Sequence, residues 1–146
     1  MSTIAYLDLE LHARDDKMLS AKDILSLLVK HNWSFFMDGE AMFLPIGDDD
    51  MYDWQGTSTM SESALFDLAV QKSQLNERVG VSLYWKDSGV GGEVIIGRPN
   101  SLSFSLSANR RTIFDRIPDV NWYLERLLPC FCEDGVCILR LEFGLF

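Results

Sequence analysis

The stretch from Ser101 to Ser107 reads Ser-Leu-Ser-Phe-Ser-Leu-Ser, the most regular alternation in the chain. A side-chain period of two belongs to a β-strand, whose successive residues point to opposite faces of a sheet. Leu102, Phe104 and Leu106 therefore share one face and the serines share the other. The apolar face demands a covering layer. The serine face is small and neutral, suited to water or to a close neighbour.

Other segments agree with a sheet of this kind. Leu7, Leu9 and Leu11 alternate with Asp8, Glu10 and His12, which predicts a half-buried strand over Ile4 to His12. Ser20 stands three residues before Asp23, a capping-box start, and Ile24, Leu27, Leu28 and His31 follow at helical spacing. Trp33 to Met37 and Ala41 to Ile46 flank Asp38-Gly39, a pair that tolerates positive φ in a two-residue hairpin turn. Pro45 predicts that the second arm runs along an edge or is about to end.

Thr59 and Glu62 form a second capping box, predicting a helix through about Asn76. Val79 to Lys86 and Glu93 to Arg98 read as strands joined by a glycine-rich loop, Asp87 to Gly92. Asp119 is placed to cap a third helix through Leu128, ended by Pro129. Cys137, Leu139, Leu141 and Phe143 then alternate in a closing strand. The expected order is β-α-β-β-α-β-β-β-α-β. Hairpins and a three-strand meander dominate it, so the fold class is α+β, a mainly antiparallel sheet with about three helices on one face. At 146 residues, the chain is expected to form a single domain, 1–146.

Charge narrows the partners. The chain carries −9 overall, with 13 acids and 5 bases through Leu75 against 9 acids and 8 bases after it. Such a surface repels phosphates and anionic lipid, so neither nucleic acid nor membrane is an expected partner. The start of the chain has no basic lead-in to an apolar run, and no apolar run approaches a membrane span. An odd, clustered set of cysteines, Cys130, Cys132 and Cys137, does not read as a disulfide framework. A cytoplasmic location is the expectation.

No pattern spells out a reaction. Asp48, Asp49, Asp50 and Asp53 offer hard oxygen ligands, but the sixth and twelfth places counted from Asp48 hold Asp53 and Thr59, where a calcium loop needs glycine and glutamate. The three cysteines lack the paired spacing of a zinc site and the Cys-x-x-Cys of a redox site. His12 reads as a surface residue and His31 as a helix-end residue. Gly89-Val90-Gly91-Gly92 joins two strands, unlike a phosphate cradle leading into a helix. No cofactor is expected, and no enzymatic activity.

What remains is a segment of one sign. Between Lys30 and Lys72 stand eight carboxylates and no lysine or arginine, interleaved with aromatics. Trp33, Phe35, Phe43 and Phe66 fit a core. Tyr52 and Trp54 instead sit inside the charged loop Asp48 to Gln55 without a periodic partner. Aromatic anchors with a rim of like charges suit docking to a basic protein, by steering and by apolar contact. The candidate partner-binding residues are Asp48, Asp49, Asp50, Tyr52, Asp53 and Trp54.

A small acidic α+β domain bearing the loop Asp48-Asp49-Asp50-Met51-Tyr52-Asp53-Trp54 resembles the immunity proteins that bacteria pair with polymorphic or contact-dependent growth-inhibition toxins. That resemblance implies a stoichiometric inhibitor of a cognate, often basic, nuclease toxin, and it carries over no residue roles. Two alternatives stand beside it. One is a small metal-dependent hydrolase using the loop carboxylates. The other is a self-assembling domain that pairs through the apolar strand ending Phe143-Gly144-Leu145-Phe146.

Overall fold

The computed structural model describes residues 4–97 and 100–146. Ten strands and three helices follow in this order among them: β1 (Ala5–Ala13), α1 (Ala21–Lys30), β2 (Trp33–Ser34), β3 (Ala41–Phe43), β4 (Gln55–Thr57), α2 (Glu62–Gln74), β5 (Val79–Trp85), β6 (Gly91–Gly97), β7 (Ser101–Ser105), β8 (Thr112–Phe114), β9 (Ile117–Pro118), α3 (Val120–Cys132) and β10 (Val136–Leu145). The main sheet runs β10-β1-β7-β6-β5-β3-β4, with β2 also on β5, and every pairing is antiparallel. β8 and β9 form a separate small hairpin. The class is α+β, as the alternation and capping signals imply. The predicted strand over Glu93 to Arg98 is β6, apart from Arg98, which lies outside the described residues.

Registration carries the apolar phase of each strand to one face. Leu7 stands opposite Phe104, which stands opposite Val94, which stands opposite Val81. These side chains meet Ile24, Leu25 and Leu28 of α1, Leu65 and Ala69 of α2, and Tyr123, Leu127 and Phe131 of α3 in one buried cluster. Trp33 anchors its centre, edge-on to Trp85 and Phe104 at 5.4 Å each, with its indole N–H donating to the Arg126 carbonyl at 3.1 Å. Among the described residues, the sheet's other face carries no helix.

Several local expectations change for identifiable reasons. Ser20 and Asp23 do form a reciprocal capping box. The second helix instead starts from Ser61, whose hydroxyl accepts from the Ala64 N–H at 3.1 Å, while Thr57 rather than Thr59 organises the preceding turn. Asp38 and Gly39 both take positive φ, and Met37 and Glu40 exchange both backbone hydrogen bonds. Beyond that single bridge, however, the arms do not pair with each other. They diverge along β5, Trp33 opposite Trp85 and Phe43 opposite Val81, because β5 offers the longer apolar partner.

The third helix continues through Pro129 to Cys132. Proline forfeits one backbone bond there, and burial of Cys130 and Phe131 beyond it outweighs that loss. Gly91 and Gly92, expected in a loop, lie inside β6. The strands β4, β8 and β9 have no alternation to announce them, being two or three residues each.

Candidate functional site

The acidic loop folds inward around the first cation that follows it in sequence. Lys72, in the last turn of α2, is fully buried, and its ammonium donates to the carbonyls of Pro45 at 2.7 Å and Asp48 at 2.6 Å. Glu77 Oε1 lies 3.2 Å from the same nitrogen and accepts the Gly47 N–H at 2.8 Å. Three acceptors thus meet the three donors of one ammonium group.

Asp48 is spent on the loop's own backbone. Its buried carboxylate accepts the N–H groups of Met51, Tyr52 and Asp53 at 2.9, 3.0 and 2.8 Å. These bonds hold Tyr52 at a φ of 55°, a left-handed conformation that a bulky residue adopts only at a cost. Burial pushes the Asp48 pKa upward, but the three N–H groups and nearby Lys72 outweigh it and hold the carboxyl below the ordinary 3.8. Asp49 is also engaged: it accepts the Arg78 N–H at 2.7 Å, and its carboxylate lies 3.8 Å from the Arg78 guanidinium. Asp50, Tyr52 and Asp53 face solvent. Trp54 is half-buried. Its ring and Leu44 lie over Gly80, where an added Cβ would come within 3.0 and 2.5 Å of them.

The depressed Asp48 pKa has a definite sign. Between the folded value and about 3.8 the unfolded chain binds more protons, so this group's stabilisation is complete above that range and is lost as pH falls through the folded pKa. Asp134 has the same sign, because Lys30 first and His31 second hydrogen-bond its carboxylate at 2.6 and 2.8 Å. We expect Asp48→Asn to lower the thermal midpoint near neutrality and to flatten its fall as the pH drops below the ordinary 3.8. An acid limb as steep as the parent's in thermal scans would contradict this assignment.

The loop reaches across the uncovered face of the sheet, and there a groove opens. Cross-strand register sets Gly80, Ile95, Ser103, Asp8 and Glu142 in one row. The adjacent row is Gly97, Ser101, Glu10 and Arg140. Apart from Gly80, these residues line a cavity of about 480 Å³ together with Tyr52 from the loop and Arg78. Ser101 and Ser103 of the alternating strand contribute small side chains to that lining. Glu93 stands one row further on, opposite Ser82, and burial raises its pKa.

Charge in the groove is not balanced internally. Arg140 is already held by Glu142 at 2.7 Å and Arg78 by Asp49. Asp8 Oδ1 is hidden from water and has no hydrogen-bond partner among the described residues. A buried, unsatisfied carboxylate oxygen is costly until a donor arrives. The sequence pattern marks Asp8, Glu10 and the serines as one polar phase of two strands. It does not reveal that those strands are neighbours or that Tyr52 closes over them.

Elsewhere Cys130 is buried and both histidines are paired with carboxylates. The three cysteines are free thiols, and burial pushes Cys130 up to about 12. His12 pairs with Asp16 at 2.7 Å and His31 caps α1. Among the described residues no three His, Cys, Asp or Glu side chains gather as metal ligands, and no helix is long and apolar enough to cross a membrane. Comparison with family models, with curated proteins and with solved structures returns no match.

Proposed function

We propose that this chain is a protein-binding module that takes a basic segment of its partner into the groove on the open sheet face. In its most concrete form it is an immunity protein that neutralises a cognate, nuclease-type toxin by stoichiometric occlusion. The observation that carries the reading is Asp8 Oδ1, buried and, among the described residues, unpartnered in a groove whose guanidiniums Arg140 and Arg78 are already paired within the chain. A lysine or arginine side chain from the partner supplies the missing donor, and charge-assisted bonds of this kind are about twice as strong as neutral ones. Asp50 and Asp53 at the rim steer a cationic partner, and Tyr52 provides the exposed aromatic contact.

The test begins with the immobilised chain and lysate from its own source, washed at moderate salt. The captured protein is expected to be basic, to bind one to one, and to be toxic when expressed alone but harmless beside this chain. Asp8→Ser and the pair Asp50→Asn/Asp53→Asn are each expected to weaken that complex by roughly tenfold or more, the pair most strongly at low salt. A harmless partner, or an affinity indifferent to all three positions, would refute the reading.

A further inference from the structure

β10 is the sheet's outermost strand, ten residues long, with β1 as its neighbour among the described residues. Exposed, long apolar edges are normally blunted by lysine, proline or a covering element, because they template pairing with another chain. This edge has neither lysine nor proline. Leu139, Leu141, Phe143 and Leu145 are all exposed along it. We propose that a second copy of this chain covers the edge, β10 pairing antiparallel with β10 about a two-fold axis through Leu141.

The backbone phase is right for this. Ile4 and Phe146 exchange both hydrogen bonds, at 3.0 and 2.8 Å, and such pairs alternate along an antiparallel ladder. Glu142 and Arg140, opposite Asp8 and Glu10, therefore turn their backbone groups toward β1. Leu141, Phe143 and Leu145 turn theirs to the free edge. A two-fold centred on Leu141 makes the two Leu141 residues a hydrogen-bonded pair.

Charge selects the register. Centring on Leu141 sets Arg140 of each copy directly opposite Glu142 of the other, two complementary pairs. Centring on Glu142 sets the two Glu142 carboxylates against each other, and like charges directly opposite are destabilising. Centring on Phe143 opposes neither pair. The strand is thus self-complementary in one register, which favours a second copy over an unrelated strand. The axis stands perpendicular to the sheet, so the helical layers stay on one side and the two open grooves adjoin.

The experiment uses the full chain alone, in reducing buffer so that free thiols cannot cross-link it, and its outcome does not depend on the basic partner. Sedimentation equilibrium up to about 0.1 mM is expected to give twice the 16.6 kDa chain mass. Glu142→Arg opposes two arginines at each crossing and should raise the dimer dissociation constant roughly tenfold or more. The double exchange Arg140→Glu/Glu142→Arg should restore it. Leu141→Pro removes an outward N–H without touching the β1 ladder, and is expected to be monomeric with an unchanged circular-dichroism spectrum. A wild-type chain of single mass overturns the proposal, as does a Glu142→Arg dimer as tight as the parent or a double exchange that stays weak.

Discussion

Replacing Gly92 with alanine is expected to cost at least ~3 kcal/mol of stability, beyond the usual range for overpacking, because the added atom meets backbone. A Cβ at that position would lie 1.6 Å from the Ser105 carbonyl oxygen and 2.8 Å from its carbon. The cause is a local mismatch between strands. Val94 pairs with Phe104, yet Gly91 bridges Ala108, so β6 spends three steps where its neighbour spends four. The extra residue pushes the Ser105–Ser107 backbone against β6, and a residue without a side chain is the one that fits. Gly97→Ala is the control. Its Cβ would meet the Ser101 hydroxyl at 3.1 Å and next the flexible Arg78 side chain at 3.9 Å, so a loss within about 1 kcal/mol is expected from urea unfolding. Equal tolerance at both glycines would mean that the strands do not approach as described.

Substituting methionine for Lys72 is expected to cost about 3–5 kcal/mol, the range for removing one partner of a buried ion pair. The stem would still fill its space. The partly buried Glu77 carboxylate and the carbonyls of Pro45 and Asp48 would lose their common donor. Because the leftover carboxylate is a large part of the penalty, Lys72→Met/Glu77→Gln should be more stable than Lys72→Met alone. Hydrogen exchange should localise the damage. The amides of Met51, Tyr52 and Asp53, shielded by Asp48, are expected to exchange faster, along with a weaker grip on any partner that touches Tyr52. Unchanged protection there would separate the buried lysine from the order of the loop.

These two sites show how unevenly the molecule was legible. The period-two segments came through as strands because half of their residues needed covering and half did not, and that need is written locally. Capping at Ser20 and Asp119 was equally local. The loop Asp48 to Trp54 was visible as a charged segment. Its inward wrap was not, since Lys72 lies two dozen positions downstream and looks like any exposed helical lysine. Pro129 misled for the opposite reason: a strong local signal yielded to the burial of the two residues after it.

The amino-acid order alone settled the α+β class, the turn at Asp38-Gly39, the meander β5-β6-β7 and the excess of negative charge, all of which follow from neighbours a few positions apart. Only the tertiary structure decided that β1 lies between β7 and β10, and that Asp8, Ser103, Ile95 and Glu142 share one row. It also decided that Asp48 serves its own loop while Asp50 and Asp53 face outward. Strand order and the pairing of distant charges depend on which surfaces meet after collapse. No local period encodes that choice, because many arrangements bury the same leucines.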